Sequence, residues 1–77
     1  MNKIMLNDLE LGKSCYIRKI FLEENIKRRL QELGFIDGSL VKCVLKSPLN
    51  EPVAYFVKGT MIALREDVTK NILVERV

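Results

Sequence analysis

No apolar run in this chain outlasts a few residues before a charge, a glycine or a proline breaks it, and that punctuation decides what it can build. Leu40-Val41 and Val53 to Val57 are typical of these runs. A bilayer-spanning helix needs about 20 apolar residues, so no span and no membrane insertion is expected. Short runs bounded by turn signals read instead as strands, and several of them closely spaced read as a small barrel or strongly bent sheet. The 77 residues leave room for one domain, residues 1–77. A domain of that size buries only about 60–65% of the surface its unfolded chain exposes, so its core is thin.

Period-two alternation marks the strands. Over Ser14 to Phe21, Cys15 and Ile17 point one way and Tyr16 and Arg18 the other. Over Leu40 to Lys46, Val41, Cys43 and Leu45 alternate against Lys42, Val44 and Lys46. Val53 to Val57 and Thr60 to Leu64 flank Lys58-Gly59 as a hairpin, with Val53, Tyr55 and Val57 on one face and Ala54 and Phe56 on the other. A last strand is expected at Ile72 to Glu75, after a short helical turn over Arg65 to Lys70. The first ten residues read as a lead-in, with Leu6 and Leu9 spaced as on one helical turn and Gly12 ending it. Ser47 to Pro52 reads as a loop held by its two prolines.

One helix is predicted, over Glu24 to Leu33, between the first two strands. Ile26, Leu30 and Leu33 fall at i, i+4 and i+7, the spacing of a buried stripe. Gly34 ends it in a left-handed conformation, which makes Leu30 and Phe35 the contact pair of a Schellman cap. Asp37-Gly38 then turns the chain. The reading is mainly β: a five-stranded barrel with the helix plugging one open end.

The search for chemistry finds little. Histidine is absent, and with it the commonest general base and metal ligand. The four glycines, at 12, 34, 38 and 59, sit at element ends and form no phosphate-binding loop. Ser14, Ser39 and Ser47 have no histidine to activate them. Glu23, Glu24, Glu32, Glu51, Glu66 and Asp67 read as solvated or helix-pairing carboxylates, as Glu23 with Lys27 at i, i+4. Cys15 and Cys43 alternate within apolar strands and read as small buried hydrophobes. As metal ligands, the two thiolates would fill half a tetrahedral site and suit zinc or copper(I) better than ferrous iron. No catalytic residue, no cofactor and no metal site is therefore expected, and the chain does not read as an enzyme. The first residues lack the apolar core of a signal peptide, so a cytoplasmic location is expected.

What remains is a surface for binding. The candidates are the cations Arg18, Lys27 and Arg28 and the aromatics Tyr16, Tyr55 and Phe56. Helical geometry turns Lys27, Arg28 and Arg29 in different directions, so they form no single patch. A net charge of +3 permits an acidic partner without requiring one. The alternative, a small basic barrel binding nucleic acid, needs a basic groove with stacking rings. Here acidic residues are interspersed among the basic ones, so nucleic acid is not the expected partner.

Four stretches taken in order resemble the FeoA family. They are Leu6-x-x-Leu9-x-x-Gly12, Arg29-Leu30-x-x-Leu33-Gly34-Phe35-x-x-Gly38, Ser47-Pro48 to Glu51-Pro52, and Gly59-x-x-Ile62-Ala63-Leu64-Arg65. Asp37, Glu51 and Val68 depart from the family's usual proline, aspartate and alanine, all at turns or a small apolar position. The resemblance implies a Src-homology-3-like barrel. It also implies an accessory protein that docks on the cytoplasmic part of a FeoB-type membrane transporter and supports ferrous iron uptake. A weak homodimer is left open.

Overall fold

The computed structural model describes residues 2–49 and 51–77. Met1, in the predicted lead-in, and Asn50, in the predicted proline loop, lie outside the described residues. In chain order the elements are β1 (Lys3–Met5), a 3-10 turn (Leu6–Asp8), β2 (Ser14–Ile20), α1 (Glu24–Glu32), β3 (Leu40–Lys46), β4 (Val53–Val57), β5 (Thr60–Leu64), α2 (Glu66–Thr69) and β6 (Ile72–Arg76). Six strands form one sheet in the order β1-β6-β2-β3-β4-β5. Every neighbouring pair is antiparallel.

The five expected strands stand where the alternation put them, and β1 is a sixth. It pairs Ile4 with Val74, but three residues are too few to display a period of two. The sheet bends around one interior. Cys15 and Ile17 of β2, Val41 and Cys43 of β3, Tyr55 and Val57 of β4, and Ile72 and Val74 of β6 all point into it. Leu6 and Leu9 close it from the lead-in side, and Leu30 and Phe35 from the helix side. Each large side chain so buried contributes about 1.5–3 kcal/mol, which is how a chain this short holds a core.

Two strands break the simple alternation. The register of β2 on β6 slips between Ile17 and Lys19, and that of β3 on β4 between Cys43 and Leu45. Each slip adds one residue, Arg18 or Val44, and an added residue reverses which face the following side chains take. Leu45, expected inside with Val41 and Cys43, is therefore exposed.

The helix also departs from expectation. Leu30 is buried, but Ile26 and Leu33 remain 37% and 47% exposed. The cause lies in the cap. Gly34 takes φ +114°, the Phe35 N–H donates to the Leu30 carbonyl at 2.9 Å, and the Gly34 N–H donates to the Gln31 carbonyl at 3.0 Å. These are the two bonds of a Schellman motif. They bring Phe35 back into the core, where it takes the space that a fully buried helical stripe would need. The helix is anchored at its C-terminal end, and its remaining apolar residues lie along the rim.

Candidate docking surface

Outward-facing side chains of β2 to β5 form an apolar face whose membership the strand register explains. Tyr16 stands opposite Leu40 across β2 and β3. Phe56 stands opposite Lys42 on one side and Met61 on the other. Tyr16, Leu40, Phe56 and Met61 are 38%, 53%, 45% and 60% exposed. A shallow depression of about 480 Å³, lined by Ser14, Ser39, Leu40, Lys42, Phe56 and Lys58, lies on this face. Single exposed apolar residues are ordinary, and it is their standing as cross-strand neighbours that makes this face the candidate for docking.

The charge around this face is uneven. The Arg18 guanidinium lies 5.9 Å from the centre of the Tyr16 ring. Its Nε donates to Glu75 Oε1 at 2.9 Å and its Nη1 to Asp37 Oδ1 at 3.3 Å. Hydrogen bonding to Glu75 raises the Arg18 pKa, and the same bond holds the Glu75 carboxyl below its ordinary value. Arg18 thus stays protonated with its charge balanced by two carboxylates, at the outer limit of cation–π distance from Tyr16. Among the described residues, no carboxylate lies within ion-pair distance of Lys42 or Lys58.

The six candidates therefore separate. Tyr16 and Phe56 share the face, and Arg18 borders it. Lys27 lines a different, smaller cavity of about 170 Å³ between α1 and β2, together with Arg18, Gln31 and Asp37. Arg28 lies beside Asn25, Ile26 and Arg29 on the helix, away from the aromatics. Tyr55 is not on the surface: it is buried opposite Cys43, and that burial pushes its hydroxyl pKa up. Its ring belongs to the core because β4 turns Tyr55 and Val57 inward together. Leu40 and Met61 were not among the expected residues. Both follow from signals already in the sequence, Leu40 from its parity with Lys42 and Met61 from the two-residue hairpin turn that sets it against Phe56.

The two cysteines face each other's strands from within the core. Both are fully buried and unpaired. Burial first, and the neighbouring Cys43 second, push the Cys15 thiol up to about 12. Among the described residues no group of three or more His, Cys, Asp or Glu is placed to hold a metal ion. Among the described residues no helix is long and apolar enough to cross a membrane.

Comparison with known proteins adds to this geometry. The FeoA domain model matches residues 4–76. A fusion of Fe(2+) transport protein A with the Fe(2+) transporter FeoB, from Porphyromonas gingivalis, is 29% identical over 70 residues. That match covers 91% of this chain and 8% of the fusion protein. The FeoA of Stenotrophomonas maltophilia, solved with zinc and described as an SH3-domain protein, is 37% identical with a TM-score of 0.81. The alignment covers 94% of this chain and 89% of that one. The FeoA protein of Chlorobium tepidum superposes with a TM-score of 0.91 at 24% identity, over 96% of this chain and 70% of that one. The bent six-stranded sheet is an SH3-like fold.

Proposed function

The chain belongs to the FeoA domain family, and from that premise we propose that it is a small cytoplasmic docking module of a FeoB-type ferrous iron transporter, supporting or regulating uptake by contact alone. One observation carries the reading: a relative joins this domain and the transporter FeoB in a single polypeptide. The chain spans only 8% of that fusion protein, and a module accompanying the transporter is the role such a join supports for this part. The exposed row of Tyr16, Leu40, Phe56 and Met61 suits such a role. Aromatic anchors of this kind commonly dominate binding energy when a partner desolvates them.

The test is direct binding of the purified chain to the cytoplasmic part of a FeoB-type transporter, followed by titration calorimetry. The double substitution Tyr16→Ala, Phe56→Ala should weaken binding by about tenfold or more, with a modest fall in the unfolding midpoint, because both rings are partly covered but neither belongs to the buried core. In cells lacking the chain, ferrous iron uptake should fall and should be restored by the wild type but not by the double variant. Undetectable binding together with unchanged uptake would sink the proposal.

A further inference from the structure

The two edges of the sheet are unlike. β1 is three residues long and begins with Lys3. A short edge strand carrying lysine is how sheets usually discourage further pairing. β5 at the other edge reads Thr-Met-Ile-Ala-Leu, with no charge and no proline. Its ladder with β4 is regular from Val53–Leu64 to Val57–Thr60, with no bulge to twist the edge away. Thr60, Met61 and Ala63 are exposed. Nothing on this edge discourages another strand.

The turn decides which backbone groups are available. Lys58 and Gly59 have φ +50° and +79°, both positive as in a two-residue type I′ turn. Such a turn is closed by a hydrogen-bonded pair, here Val57 with Thr60, and antiparallel pairs alternate from there. Tyr55–Ile62 and Val53–Leu64 are then the other bonded pairs. The N–H and C=O groups of Met61 and Ala63 consequently point away from β4. Apart from that ladder, β5 makes no hydrogen bond among the described residues.

We infer that β5 receives an added strand: an extended segment of the partner protein, apolar at alternate positions and carrying a carboxylate at the end nearest Lys58. This rests on the docking reading above and names the chemistry of what docks. The backbone of Met61 and Ala63 supplies the hydrogen bonds. An apolar side chain on the outer face of the incoming strand lands beside Met61 and extends the row that runs through Phe56. Charge fixes the sign of the flanking residue. Lys58 is exposed beside the start of β5 without a carboxylate in reach among the described residues, whereas Arg65 at the far end already faces Glu51 at 3.6 Å. A second copy of the chain is the weaker occupant, because two β5 edges paired antiparallel bring Lys58 of one copy toward Arg65 of the other, a cation toward a cation whose carboxylate Glu51 is already engaged.

Three variants test the edge. Ala63→Pro removes an N–H that points outward, so the ladder to β4 survives. Met61→Lys places a charge on the edge, and Lys58→Glu reverses the flanking charge. Leu11→Ser, an exposed position elsewhere, is the control. Against the cytoplasmic part of the transporter, the two edge variants should bind about tenfold more weakly and Lys58→Glu several-fold more weakly, with the control unchanged. Amide exchange at Met61 and Ala63 should slow on binding. If the wild type binds but the edge variants keep full affinity and those amides stay unprotected, the edge inference fails while docking stands. If the wild type does not bind the transporter, docking fails, and a blocked synthetic peptide of alternating valine and threonine ending in aspartate decides the edge separately. Protection of Met61 and Ala63 by that peptide upholds strand addition, and no protection overturns it. A concentration-dependent dimer abolished by Ala63→Pro would also overturn it, in favour of a second copy.

Discussion

Cys15 and Cys43 lie on the inward face of neighbouring strands, and their setting makes them inert. With its thiol pushed up to about 12 from 9.0, Cys15 carries about a thousandth of the thiolate of an ordinary cysteine at mildly alkaline pH. Iodoacetamide should therefore leave both residues untouched in the folded chain and modify both once denaturant is added, as mass spectrometry would show. Rapid labelling of the folded chain would contradict their burial and revive the thiolate metal site. Glu75 gives a second residue-level prediction. Its bond to Arg18 keeps its folded pKa below the ordinary value of 4.5, with burial opposing. A lowered carboxyl pKa contributes stability that is fully present above the unfolded value and is lost as pH falls through the folded one. The melting temperature should accordingly drop as pH falls below about 4.5, and Glu75→Gln should flatten part of that drop. Thermal melts from neutral pH downward would decide it; an identical pH profile in the variant would remove Glu75 from the account. At this scale the sequence was informative about parity and silent about depth. Alternation separated Tyr55 from Phe56 without saying which of the two was inside.

Among the elements, the capped end of α1 carries most of what the helix contributes. A Cβ on Gly34 would come within 3.0 Å of Lys58 Cγ and 3.2 Å of Val57 Cγ2, at a φ of +114° that side chains other than glycine rarely adopt. Gly34→Ala should cost about 1–2 kcal/mol from the backbone alone, read as a lower denaturant midpoint at unchanged slope. Lys58 can move, but Val57 is buried and cannot move as freely. The half-exposed stripe makes a contrasting prediction: Leu30→Ala should cost about 2–5 kcal/mol, and Ile26→Ser much less. Comparable losses at the two positions would mean that the stripe packs as a whole after all. The cap was legible because its glycine and its Leu30–Phe35 pair are local in sequence. The extent of helix burial was not, because it depends on Phe35 competing for the same volume. The bulges at Arg18 and Val44 were hidden for a related reason. An extra residue in one strand is defined only against its partner, so Leu45 looked like core in a sequence read one strand at a time.

For the whole molecule, the question is whether apolar contact or charge drives association, and salt separates the two. The net charge of +3 is small, and two of the cations are compensated by carboxylates: Arg18 by Glu75 and Asp37, and Arg65 by Glu51. A nucleic-acid module neutralising several phosphates loses orders of magnitude in affinity over a fewfold rise in salt, because each contact releases counterions. The face described here presents four exposed apolar side chains, Tyr16, Leu40, Phe56 and Met61, with Lys42 and Lys58 as cations without an ion-pair partner among the described residues. Two screened surface charges change affinity modestly, while apolar burial is indifferent or slightly favoured by added salt. Binding to the cytoplasmic part of the transporter should therefore weaken by no more than about tenfold between roughly 50 and 500 mM salt. Single-stranded RNA should show no binding with a steep salt slope over the same range. The reverse pattern, a steep slope with RNA and none with the transporter, would assign this SH3-like sheet to the nucleic-acid reading.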